Sequence, residues 1–319
     1  MPARYYGAIK LAAIIGLLML LSAASLLTGP GMFKGSSGAL NIDLNIIAIS
    51  RLPRTIALLL SGGSVAVAGL VMQLLSQNHY VEPATTGTMQ GAALGILAMY
   101  LFFPNAPVMV KIIMASIGAL ICTLIFLLML MHIKVKSTLL VPVIGLMYAA
   151  VLTALLTFIA IHYDLLQSIV SLQSGDFSAV LKGRYEIIWI AAIITAALWW
   201  VADSFSVMAM GRSYAINVGL NYQQLILLGI LAIALISGVT IAIVGALPFL
   251  GLVVPNLVRV LVGDNTRRAL PWTFVIGSSL VLFCDVVGRL IVYPFEIPVG
   301  SILSVFGALL FLILLYRRA

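Results

Sequence analysis

About ten long apolar runs follow one another along this chain, and few of its charges fall inside them. A hydrocarbon layer ~30 Å thick takes ~20 apolar residues of helix to cross, and inside it only helices and closed barrels satisfy their own backbone groups. Runs near 11–27, 55–75, 86–103, 108–131, 139–161, 187–201, 225–247, 251–261, 274–292 and 300–316 therefore read as helices in a bilayer. Charged residues make up 8% of the chain and the mean hydropathy is +1.22, so no segment is polar enough to form a separate soluble domain. The expected fold is all-α, a polytopic integral membrane protein with about ten transmembrane helices in a single transmembrane domain over residues 1–319. The first run follows Arg4 and Lys10 and resembles a signal peptide, but its length and the equally apolar remainder favour a first span.

Charge sets the expected orientation. With the N-terminus inside, the inner loops receive Arg4, Lys10, Lys134, Lys136, Arg212, Arg267, Arg268, Arg317 and Arg318. The outer side receives Lys34, Arg51, Arg54, Lys111, Lys182, Arg184 and Arg289. Arg51 and Arg54, at the mouth of a helix, go against the positive-inside trend. They either snorkel at the interface or offer a docking surface for something acidic outside the membrane. The net charge of +8 is spread in ones and twos and forms no stripe of the kind nucleic acid requires.

Small residues point to close helix contacts. Gly87, Gly91 and Gly95 form a GxxxGxxxG row, and Gly62 with Ala66 and Ser64 with Ala68 repeat the spacing on the preceding run, which reads as packing in preference to a pore lining. The polar break at 73–83 between those runs is a tight re-entry loop. The segment 203–224 is the most structured polar stretch: a helical turn after Gly211 ends at Gly219, and Asn221 with Gln224 restarts a helix as a capping-box-like pair. Such a pair either packs at the interface or forms a platform for a cytoplasmic partner.

Several chemistries are excluded or disfavoured. Cys122 and Cys284 lie inside apolar runs, and His79, His132 and His162 are scattered, so no metal site is expected. The chain has no G-x-x-x-x-G-K-[ST] loop, so any ATP-driven step belongs to another subunit. Asp285 is the one clear acid inside a run and Arg289 lies at i+4, which reads as a local ion pair and not as an ion relay. A secondary transporter working alone would show more buried acids on several helices.

Six stretches, 51–73, 87–95, 210–225, 245–263, 264–271 and 284–300, resemble in sequence and order the permease subunits of ATP-driven importers for iron-siderophores, haem and cobalamin, the FecCD or type II importer family. The chain departs from the common pattern at 78–83, at Asn256 where a histidine is usual, and at 85–90. In this it is similar to permeases for catecholate-type siderophores such as petrobactin and vibriobactin, or for anguibactin. The resemblance implies a type II importer permease fold in a bacterial cell membrane, with no cofactor, no metal and no catalytic residue. It implies as partners a second permease subunit, two cytoplasmic ATPase subunits, an extracytoplasmic substrate-binding protein and a ferric siderophore substrate; haem or cobalamin are the alternative cargoes. It also implies roles for residues: Arg51, Arg54 and Arg289 in docking the binding protein, and Gly211, Arg212, Ala215, Val218, Gly219 and Leu220 in coupling to the ATPase. Lys136, Ser137 and Thr138 correspond to the cytoplasmic gate, while Gly87, Gly91 and Gly95 remain packing residues.

Overall fold

The computed structural model describes residues 2–28, 47–133, 140–292 and 295–316, and the regular elements among them are all helical. In chain order they are α1 (Pro2–Leu27), α2 (Leu52–Leu75), α3 (Thr88–Phe102), α4 (Val108–His132), α5 (Leu140–His162), α6 (Leu166–Ser174), α7 (Trp189–Trp200), α8 (Ala202–Ala209), α9 (Arg212–Asn217), α10 (Tyr222–Ile243), α11 (Leu250–Val262), α12 (Thr266–Ile291) and α13 (Val299–Tyr316). A π-helical turn, Ile47–Arg51, leads into α2, and a 3-10 turn, Tyr185–Ile188, leads into α7.

Each expected apolar run becomes a helix, but their lengths divide them. Five helical stretches are long and apolar enough to cross a bilayer, or six if α7 and α8, bent by 65° at Val201, count as one span. Ala13–Leu27, Thr88–Phe102, Leu250–Val262 and Val299–Leu314 are apolar but shorter. The expected figure of about ten therefore includes four helices too short to cross alone. Short helices are tolerated at membrane depth where protein encloses their ends. Here α3 follows the folded-back loop 76–87, and the start of α11 is hydrogen-bonded to Glu82 of the same loop.

At the centre stands α2. Its apolar window is 83% buried, whereas that of α5 is 22% buried, which puts α5 at the rim. Three glycines of α2 mark where its neighbours come closest. Gly62 meets the Gly277 carbonyl and Val281 of α12, Gly63 meets Phe274, and Gly69 meets the Gly251 backbone of α11. With little apolar gain from pressing one greasy helix on another in lipid, close van der Waals approach is what joins them. The sequence-expected row divides: Gly91 and Gly95 lie against the backbone of Gly118 and Met114 in α4, while Gly87, at φ +77°, faces Tyr148 of α5. A hydroxyl of α12, Ser278 Oγ, adds a 2.6 Å bond to the Leu59 carbonyl across the α2–α12 contact.

Gly69→Ala tests this close packing. A Cβ there would sit 2.1 Å from the Gly251 Cα, backbone against backbone, so neither side can yield without separating the helices. The expected cost is ~1–3 kcal/mol, read as a lower melting temperature of the purified protein in detergent. Gly16→Ala, with no atom within 4 Å of the added carbon, is the control, and equal melting of the two variants would contradict the packing.

Candidate functional site

Three arginines converge at one end of the bundle. Arg54, in the first turn of α2, donates from Nε and Nη2 to Asp285 Oδ1 of α12 at 3.1 and 2.8 Å, and from Nη1 to Glu296 Oε2 at 2.6 Å. Arg289, one turn beyond Asp285, donates to its Oδ2 and to the carbonyls of Ser25 and Thr28 at the end of α1. The Ser25 hydroxyl also donates to Asp285 Oδ2 at 3.2 Å. Arg51 closes the group from outside by donating to the Leu26 carbonyl at 3.0 Å. The last carbonyls of α1 are thus satisfied by guanidinium groups, the charge that suits a helix C-terminus.

Burial separates these residues. Arg54 and Arg289 are 8% and 5% exposed and Asp285 is 1% exposed, while the Glu296 side chain keeps 25% of its surface. The sequence reading of a local Asp285–Arg289 pair holds, but the pair belongs to a larger cluster that includes Arg54, 231 residues away from Asp285 in the chain. The resemblance gave Arg51, Arg54 and Arg289 one docking role, and their burial distinguishes them. They share one end of the bundle, yet two are enclosed and answered by carboxylates, so Glu296 and Arg51 form the accessible edge of the cluster.

A second polar group lies in the interior and was not singled out in the sequence. Glu82, 2% exposed in the loop between α2 and α3, accepts from the Phe249 N–H, so a carboxyl oxygen faces the positive end of α11. Gln73 of α2 donates to the Gly251 carbonyl at 3.2 Å, and Asn256 of α11 donates to the His79 carbonyl at 2.7 Å. These three side chains fix the loop and the broken helix to each other. A glutamate next to proline between two apolar runs was the available signal; its partner, a backbone N–H 167 residues on, was not.

At the opposite end, α8, α9 and the start of α10 form the polar connection. Gly211, at φ +111°, opens α9, and Gly219, at φ +88°, ends it. The Leu220 N–H reaches the Ala215 carbonyl and the Gly219 N–H reaches the Ile216 carbonyl, a Schellman closure that needs a residue of positive φ at position 219. Asn221 Oδ1 then accepts from the Gln224 N–H at 3.2 Å and caps α10. Ala215 is fully enclosed, so of the expected coupling residues it faces inward and cannot meet a partner. Met210, Tyr214, Ile216 and Val218 are each more than half exposed and present an apolar patch beside Arg212. The expected gate residues Lys136, Ser137 and Thr138 lie outside the described residues, as does Lys34. Among the described residues no group of three or more His, Cys, Asp and Glu side chains is placed to hold a metal ion.

Residues 11–317 match the model of the FecCD transport family. The petrobactin import system permease protein FatD of Bacillus anthracis is 40% identical over 301 residues, covering 94% of this chain and 89% of that one. The ferric-anguibactin transport system permease protein FatD of Vibrio anguillarum is 40% identical over 276 residues, covering 86% and 88%. Among solved structures, an inward-facing metal-chelate type ABC transporter covers 96% of this chain and 98% of its own, with a TM-score of 0.79 at 24% identity, which establishes a shared fold.

Asp285→Asn leaves two enclosed guanidinium groups facing an amide. Breaking one side of a buried pair costs ~3–5 kcal/mol because the remaining charge stays desolvated. The expected outcome is a large fall in detergent melting temperature with loss of α1 docking, seen as faster proteolysis near Leu27. Arg51→Gln, at the accessible edge, should change melting little. A melting temperature for Asp285→Asn equal to that of Arg51→Gln would overturn the structural role of the cluster.

Proposed function

This chain belongs to the FecCD transport family, and we propose that it is the membrane permease of an ATP-driven importer that carries a ferric siderophore of the petrobactin or anguibactin kind into a bacterial cell. The observation that carries the reading is the 40% identity, over 86% or more of this chain, to permeases named for those two siderophores. The chain contributes a path and no catalysis: it has no phosphate-binding loop of its own. Two ATPase subunits drive the cycle from inside, a second permease subunit completes the path, and an extracytoplasmic binding protein delivers the chelate.

The two ends of the bundle suit those partners differently. The Met210, Tyr214, Ile216 and Val218 patch, ordered by the glycine and asparagine caps around α9, is an exposed apolar surface on a polar connection, the kind of surface that marks a protein contact. We assign it to the ATPase. Gly211 and Gly219 set its shape, Arg212 adds charge, and Leu220 anchors the end of the turn through the Ala215 carbonyl. The arginine end is assigned to the binding protein. An incoming carboxylate there meets Arg51 first and reaches Arg54 by taking the place of Glu296, whose bond to Nη1 is the partly exposed one. Arg289 acts through Asp285, holding α1 and α12 in place beneath the contact.

Uptake of a ferric siderophore into vesicles tests the reading. With permease, ATPase subunits, binding protein and internal ATP, uptake should occur, and it should vanish when the ATPase subunits are omitted. Val218→Glu places a carboxylate in the proposed apolar contact and should lower uptake roughly tenfold, the factor that ~1.4 kcal/mol corresponds to, with melting temperature unchanged. Uptake without ATPase would reject the importer reading. Full uptake by Val218→Glu would remove the patch from the ATPase contact.

A further inference from the structure

Between α7 and α12 runs an apolar groove of about 480 Å³, walled by Ala192, Ala196 and Trp200 on one side and by Pro271, Phe274 and Val275 on the other. It lies at the end of the bundle that carries Arg267 and Arg268. Its mouth is built, not incidental. Pro271 has no N–H, so the Arg267 carbonyl four residues earlier loses its helical donor, and Trp199 Nε1 donates to it instead at 3.3 Å. The Arg267 guanidinium then lies 5.4 Å above the Trp199 ring and is held from the far side by Asp203 at 2.5 Å. Trp199 is thereby fixed as the wall between groove and charge, with Trp200 projecting beside it, 79% exposed.

The charge at this mouth is unbalanced. α12 opens with Thr266, Arg267 and Arg268 and has no acid in its first turn, the reverse of what the positive end of a helix favours. Asp203 answers Arg267, but the exposed Arg268 guanidinium has no carboxylate partner among the described residues. An exposed arginine three residues before Pro271 on the helix that walls an apolar groove, with Trp199 and Trp200 at the groove's mouth, matches one molecule in its surroundings: a lipid with an anionic head and an acyl tail. A zwitterionic lipid would fill the groove but bring no net charge to Arg268, and a free anion would leave the groove unused.

We propose that the α7–α12 groove is a binding site for an anionic phospholipid, with one acyl chain between the two helices and the phosphate at Arg268. The site lies toward the opposite end of α12 from the arginine cluster, and lipid occupancy would brace the bent α7–α8 corner. It requires only that the chain sits in a bilayer and does not depend on which chelate is carried.

The test uses the full chain in detergent with Trp189→Phe and Trp272→Phe, leaving Trp199 and Trp200 as reporters. Phosphatidylglycerol with brominated acyl chains should quench their fluorescence at a several-fold lower mole fraction than brominated phosphatidylcholine. Arg268→Gln should bring that ratio close to one and Arg268→Lys should restore most of it. Val275→Phe, which fills the groove, should reduce quenching by both lipids. Equal quenching by the two lipids in the Arg268 protein, or an unchanged ratio in Arg268→Gln, would overturn the proposal. Displacement of the brominated lipid by glycerol 3-phosphate alone would also overturn it, by showing a free-anion site.

Discussion

One buried carboxylate organises the arginine end of this protein. Asp285 stands in a low dielectric between Arg54 and Arg289, and through them α1, α2 and α12 are tied at a single point. Neither arginine could remain there unpaired, because the desolvation of an isolated guanidinium far exceeds what apolar packing around it supplies. Two cations over one buried acid leave a positive excess, and Glu296 from the short connection before α13 neutralises it. The balance is therefore completed by a carboxylate that water reaches. That position is where the proposed docking of a partner's surface acid would take place, leaving Asp285 in its own bonds.

The same shortage of water explains the broken helices. Where α11 begins, its free N–H groups cannot be solvated, and Glu82 accepts from the first of them. Where Pro271 interrupts the bonding of α12, an indole N–H is supplied by α7. Each interruption is closed by a side chain from another element, so each break also becomes a contact.

What could be read from the sequence follows the range of the interaction. Apolar runs specify helices locally, and the Gly219, Asn221 and Gln224 signals lie within six residues, so the turn between α9 and α10 was legible in detail. Asp285 and Arg289, four residues apart on one helix, were legible as a pair. Arg54 joining them was not, because periodicity says nothing of which helix stands beside which. The same reason hid the Glu82 contact and the enclosure of Ala215, the one buried residue of a six-residue helix whose other positions are exposed. The resemblance supplied the partners and the roles, while the physical reading supplied their limits: an arginine at a helix mouth carries no mark of whether its charge is already answered.

The most direct measurement of this account is the affinity of the binding protein for the permease with Glu296→Gln, at low and high salt. If Glu296 holds the position that the partner's carboxylate takes, removing its charge frees Arg54 Nη1 and docking tightens. A partly exposed pair is worth ~0.5–1 kcal/mol, so the gain should be ~2–5-fold, greatest at low salt and shrinking as salt screens the contact. Weaker or unchanged docking by a stably folded Glu296→Gln permease would contradict the account, leaving the cluster as a device of the fold alone.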